Sequence, residues 1–290
     1  MYDIGIISQQ ILNGLITGSG YILVALGLTL IFGVYRIINM AHGAVYMWGA
    51  FFCQIFATRL GLNFYLATII AMVLAGFLSV FLERIVFRKV KGQADWVALV
   101  AGLGIYYTLE NLGWIVLGPR ELHVFADAAT HTVRFAGFYV NLQKLILAAI
   151  CLVIVVGMVV VLKKTSVGRA IRAASSDSEA ALLVGINTNL ISTVVFFLGG
   201  AFAAVAGSLL GSLSSVAPAM GFAPMIMAFV IVVFGGMGSI LGTVIAGLMV
   251  GVIQNLLAYT VAPSFAYAFT MLILLAIFIV KPTGLFGEVK

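Results

Sequence analysis

The sequence predicts an all-α polytopic membrane protein, and three observations carry that expectation. Of 290 residues, 63% are hydrophobic and 8% are charged, whereas a soluble chain needs about a quarter charged residues to solvate its surface. Apolar runs such as Leu142 to Leu162 and Asn189 to Leu213 supply the ~20 helical residues that a hydrocarbon core requires. Their continuity excludes barrel strands, which alternate over about 10 residues. Basic residues, finally, gather in alternate loops, as a membrane-oriented chain requires.

Nine segments follow in order. The first, Gln9 to Val34, is expected to be retained, because the first basic residue is Arg36 and a cleaved signal carries its positive charge before the apolar stretch. Met40 to Thr58, Leu62 to Leu82, Trp96 to Gly118, Leu142 to Leu162 and Asn189 to Leu213 come next. Phe222 to Phe234 is short, since its thirteen residues reach only about 20 Å at helical rise. It is a half-span or a tilted span completed through Gly235 to Ser239. Ile240 to Val261 and Phe265 to Val280 close a count of eight or nine crossings.

The loop Glu83 to Asp95 holds Arg84, Arg88, Lys89 and Lys91, and the loop Lys163 to Asn189 holds Lys163, Lys164, Arg169 and Arg172. With Arg36, Lys281 and Lys290 these face the cytoplasm, while Arg59, Arg120, Arg134 and Lys144 lie outside. Nine crossings then give an external amino terminus and an internal carboxyl terminus. The same distribution explains the net charge of +6 without nucleic acid. Cys53 and Cys151 sit in apolar runs, so neither a disulfide nor a metal cluster is expected. The longest extramembrane piece, Pro119 to Asn141, is too small to fold as a catalytic domain, and residues 1–290 read as one transmembrane domain.

Thirty-two glycines include the pairs Gly14/Gly18, Gly207/Gly211, Gly238/Gly242 and Gly247/Gly251, spaced for close helix contact. They exceed what one small bundle needs for its own packing, which suggests a second membrane subunit. Two clusters interrupt the apolar runs: Asn39-Met40-Ala41-His42-Gly43 and Gly235-Gly236-Met237-Gly238-Ser239. Non-helical backbone within a bilayer is tolerated where it is buried in protein or lines a wet cavity, and paired interruptions point to a transport path. Glu110, followed by Asn111, is the only acidic residue inside a predicted span, ~12 Å from its outer end. It is either functional or a buried, hydrogen-bonded or hydrated carboxyl. His42 reads as a packing or capping residue or as a proton relay. HExxH, GxSxG and GxxxxGK[ST] are absent.

Residues 163–188 form the longest cytoplasmic loop. Ser176 with Glu179 makes a capping box and Gly185 suits a left-handed helix stop, which predicts a short helix from Asp177 to Val184 after a basic helical stretch from Gly168 to Ala174. Ala180, Ala181, Leu183 and Val184 leave apolar surface on it. Lipid or a partner must cover that surface, and the scarcity of aromatics disfavours lipid.

Glu179-Ala180-Ala181 with Gly185 resembles the signature of the cytoplasmic loop of ABC importer permeases, without its downstream proline. The wider pattern is similar to permeases of the branched-chain amino acid ABC importers. It comprises Asn13-Gly14-Leu15, Ala25-Leu26-Gly27-Leu28-Thr29, Ile38 to Gly43, Gly168-Arg169-Ala170, Gly185-Ile186-Asn187-Thr188, Phe234 to Ser239 and Pro282-Thr283-Gly284-Leu285-Phe286-Gly287. The chain most resembles the shorter of that family's two membrane subunits, with Met40 in place of a common Phe and an unusually bulky, charged Tyr35-Arg36. The resemblance implies ATPase coupling through Gly168, Arg169, Arg172, Asp177, Glu179, Ala180, Ala181, Gly185 and Ile186. It implies a translocation path past Asn39, His42, Gly43, Glu110, Asn111, Gly235, Gly236, Gly238 and Ser239. It also implies a second permease, two cytosolic ATPases that use ATP and Mg, a periplasmic binding protein, a bacterial inner-membrane location and no cofactor on this chain. Substrates associated with such permeases are branched-chain or other hydrophobic amino acids, and urea or short amides. The alternative is a stand-alone secondary transporter or channel for a small neutral solute, with Glu110 or His42 as its ion-coupling group.

Overall fold

A computed structural model describes residues 4–135, 137–280 and 284–286. Lys281, Pro282, Thr283, Gly287 and Lys290 lie outside the described residues.

The chain runs α1 (Ile4–Tyr35), α2 (His42–Gln54) with a π-turn (Ile55–Arg59), and α3 (Phe64–Leu82), which continues through a second π-turn (Glu83–Phe87) into α4 (Arg88–Val90). Then come α5 (Asp95–Leu117), α6 (Asp127–Thr130), β1 (Thr132–Phe135), β2 (Phe138–Asn141), α7 (Leu142–Lys164), α8 (Ser166–Ser176) and α9 (Ser178–Leu183). The last stretch holds α10 (Thr188–Gly211), a 3-10 turn (Pro218–Gly221), α11 (Phe222–Gly235), α12 (Ile240–Thr260) and α13 (Pro263–Val280). Among the described residues, seven helices are long and apolar enough to cross a membrane. The shorter α2 and α13 bring the crossings to the expected eight or nine.

Position in the bundle separates helices of similar hydropathy. The most apolar window of α1 is 72% buried, whereas that of α7, more hydrophobic still, is 17% buried. Apolarity all round permits either place, because lipid and protein solvate Leu and Val alike. Small residues decide: a Cβ on Gly14 would stand 2.6 Å from Val252 Cα, and one on Gly18 2.6 Å from the Gly247 carbonyl. Gly247 and Gly251 reciprocate against Ile22, Gly14 and Gly18. The two predicted pairs therefore face each other across α1 and α12, and Gly207 and Gly211 pack on α2. These glycines are used inside this chain, so they provide no separate surface for a second subunit.

Three boundaries differ from expectation. Glu83 to Asp95 is largely helix, because α3 winds on to Val90. The short span is completed at its front by Pro218–Gly221, not through Gly235 to Ser239, and Gly235 is its last helical residue. Residues 119–141, read as a loop, contain α6 and an antiparallel hairpin pairing Thr132 with Asn141. The Gln9 side-chain amide docks that hairpin, donating to the Tyr139 carbonyl at 3.0 Å and accepting from its amide at 3.1 Å. Buried Gln143 joins three helix ends: its oxygen accepts from Tyr65 at 3.2 Å and its nitrogen donates to Ser212 at 2.9 Å.

Candidate functional site

The first interruption is a return into the bundle. α1 ends at Tyr35, residues 36–41 are not helical, and His42 Nε2 donates to the Val24 carbonyl at 3.1 Å. Val24 lies eleven residues before the helix end, or ~17 Å, a distance six extended residues can retrace. So α2 begins well inside the helix bundle. There Asn39 Oδ1 and His42 Nδ1 are buried without a hydrogen-bond partner in the protein, which is costly in an apolar interior. Gly43 meets the start of α11 backbone to backbone: a Cβ on it would lie 2.6 Å from the Gly221 carbonyl.

The second interruption lies beside the first. Leu28, Phe32, Ile37, Ile38, Asn39, Phe229, Val232 and Met237 line one narrow crevice between α1, the re-entrant segment and α11. Gly236 and Gly238 adopt positive φ (99° and 88°) and turn the chain from α11 into α12. Ser239 caps α12, accepting from the Gly242 amide at 3.1 Å. Gly238 Cα stands 3.9 Å from a Cβ built on Gly33, with Ser175 Oγ at 3.7 Å. The end of α1, the α11–α12 turn and the 163–188 loop thus converge on Gly33. The carboxyl-terminal stretch straps this turn: the amides of Leu285 and Phe286 donate to the carbonyls of Phe234 (2.7 Å) and Gly235 (3.2 Å).

Glu110 and Asn111 stand apart from that crevice. α5 lies along α2, with Gly102 against Met40 and the Trp48 indole donating to the Leu109 carbonyl at 3.1 Å. Glu110 is eight residues further along α5 than Gly102, half-buried, and exposed Asn111 donates to the Tyr107 carbonyl at 2.7 Å.

The loop of residues 163–188 is two helices. Gly168 lets α8 fold back on α7, where a Cβ would lie 2.5 Å from Leu162 Cα. Ile171 and Ala174 continue its buried face, while Arg169 and Arg172 are exposed. The cap of α9 is Asp177, not Ser176, which ends α8. Asp177 Oδ1 accepts from the amides of Glu179 (2.9 Å) and Ala180 (3.0 Å). Those amides, with the Arg36 guanidinium nearby, hold its carboxyl below the usual carboxylate range. Gly185 stops the helix at φ 83°, and the Ile186 amide donates to the Ala181 carbonyl at 3.0 Å. Ala181 is buried, contrary to its expected place on the open face; Leu183 (89% exposed) and Val184 (74%) form that face with Glu179, Ala180 and Leu182.

Sequence reasoning missed a buried ionic cluster because Glu83 read as a loop residue. Glu83 is fully buried, its carboxylate gripped by Arg88 through Nε (3.0 Å) and Nη2 (2.9 Å) and by the Tyr35 hydroxyl at 2.8 Å. Arg88 also donates to Thr193 Oγ1 at 3.0 Å, and the Lys91 ammonium lies 5.2 Å from the Tyr35 ring centre. Acid and base are five residues apart, a spacing the intervening π-turn brings onto one face.

Known proteins match this chain over nearly all its length. The family described as "Branched-chain amino acid transport system / permease component" matches residues 10–279. The high-affinity branched-chain amino acid transport system permease protein BraD of Pseudomonas aeruginosa is 31% identical over 97% of this chain and 95% of its own. LivH of Escherichia coli, of the same description, is also 31% identical over 97% and 95%. In fold, the chain resembles PsaBC from Streptococcus pneumoniae, solved in complex with Fab, with a TM-score of 0.52 at 14% identity over 93% of this chain and 91% of that one. The chain is a multi-pass membrane protein and belongs to the family of branched-chain amino acid transport system permease components.

Proposed function

We propose that this chain is one of two related membrane subunits of an ATP-driven importer, taking up branched-chain or other hydrophobic amino acids across a bacterial inner membrane. A periplasmic binding protein delivers the substrate, and two cytosolic ATPases, which bind the ATP and Mg, engage residues 163–188. The observation that carries this reading is the bare Leu182-Leu183-Val184 tip of a capped helix, an apolar surface that a soluble partner would bury. A stand-alone channel or secondary transporter would have no use for it.

Within the membrane, the path runs from the crevice at Asn39 and the 235–239 turn, past His42 and the Gly43 contact, toward Glu110 and Asn111 at the outer end. The buried, unpaired Asn39 Oδ1 and His42 Nδ1 support this, since buried polar atoms of that kind suit passing polar groups or water.

The test is reconstitution with the ATPases and binding protein. Leu183→Glu with Val184→Glu is expected to abolish substrate-stimulated ATP hydrolysis while the permease stays folded in the membrane. Normal stimulation would remove the docking role. A binding panel on the partner binding protein would name the substrate.

A further inference from the structure

The coupling loop and the re-entrant segment are joined by one side chain. Arg36 is the only non-glycine described residue with positive φ, 54°. This conformation is unfavourable for any residue with a Cβ, whereas Gly adopts it freely and Asn more readily than Arg. The guanidinium explains why arginine stands there: Nη2 donates to the carbonyls of Ser176 at 3.0 Å and Ser175 at 3.4 Å. These are the last residues of α8, whose final carbonyls lack helical partners and attract a cation. The next residue, Asp177, caps α9 and carries the opposite charge.

On its other side, Arg36 lies between an anchored tyrosine and the lining of the crevice. Tyr35 points into the bundle, where its hydroxyl donates to Glu83 at 2.8 Å and its ring packs edge-on against Phe196 of α10 at 5.2 Å. Ile37, Ile38 and Asn39 follow directly and line the crevice. The backbone of Arg36 reverses the chain into the membrane, while its side chain holds the joint between α8 and α9.

We propose that Arg36 is a positioning residue for transport, which transmits movement of the α8–α9 joint to the re-entrant segment 37–41 and so to the crevice at Asn39. This rests on the reading that α9 docks an ATPase. A displacement of the joint pulls on two charge-assisted contacts, and the anchored Tyr35 makes the segment beyond Arg36 yield instead of α1.

Arg36→Gly and Arg36→Asn keep the left-handed backbone and remove the strut, and Arg36→Lys keeps a cation without the fork. Each is placed in the reconstituted complex, in a background lacking Cys53 and Cys151 and carrying Asn39→Cys as a reporter for a small hydrophilic thiol reagent. With Arg36 intact, ATP and substrate should change the labelling rate of the reporter. In the Gly and Asn variants the complex should assemble and hydrolyse ATP basally, the labelling change should vanish, and substrate moved per ATP should fall about tenfold, the scale of one lost charge-assisted contact. Lys should restore part of both. No ATP-dependent change with Arg36 intact overturns the proposal, whereas normal stimulated hydrolysis in Leu183→Glu with Val184→Glu removes the docking reading itself. A normal response in the Gly and Asn variants overturns the role of Arg36 and leaves docking standing. Failure of both variants to assemble also overturns it, making Arg36 a folding residue.

Discussion

Glu83 and Asp177 show how differently two carboxylates act in one chain. Glu83 has no exposure and is neutralised by Arg88, so removing the arginine strands a buried charge. Arg88→Ala is expected to cost about 3 kcal/mol, read as a lower melting temperature in detergent; unchanged melting would show the pair to be dispensable. Asp177 lies at the surface, and two amides depress its pKa. A depressed carboxyl contributes stability that is present above its ordinary titration range and is lost as pH falls through the lowered value. The protection of the Glu179 and Ala180 amides, read as hydrogen exchange relative to the intrinsic rate at each pH, should therefore fall as pH drops through that lowered value. Asp177→Asn should remove that pH dependence while α9 stays capped.

Helices here are ranked by what their glycines touch. Gly251 sits against the backbone of Gly14 and Gly18, while Gly157 on α7 has nothing within 4 Å of a built Cβ. Gly251→Ala should destabilise the α1–α12 contact by about 1 to 3 kcal/mol, because backbone cannot give way. Gly157→Ala should stabilise slightly, by up to about 1 kcal/mol, through helix propensity. Equal melting shifts for the two would mean that the α1–α12 contact is loose.

For the whole molecule, α5 and α7 turn wide apolar faces outward, including Ile115, Val116, Leu152 and Val153. Lipid satisfies such faces as well as protein does, so a second permease rests on family membership and not on the glycine pairs. Intact-complex mass measurement in mild detergent should find this chain with a longer, related membrane subunit. A transport-competent assembly containing only this chain in the membrane would refute the heterodimer. Cysteines at Asn39 and Met237 line one crevice and should change reactivity together when ATP and substrate are added; independent behaviour would separate the two interruptions.

Hydropathy and charge determined the class and a count of eight or nine crossings, because bilayer thickness acts on local sequence alone. The short helix ending at Gly185 was equally legible, since its stop is a local backbone property and its cap fell one residue from the expected place. The re-entrant course of residues 36–41 and the burial of Glu83 were not legible. A break in hydropathy has the same appearance whether the chain exits the membrane or doubles back, and only the Val24 carbonyl receiving His42 distinguishes them. Likewise, which glycines meet, that Ala181 faces inward, and that Arg36 bridges loop and path depend on distant segments arriving at one place. Tertiary structure decided these, because such contacts pair residues as far apart as Gly14 and Val252, and local composition carries no record of that pairing.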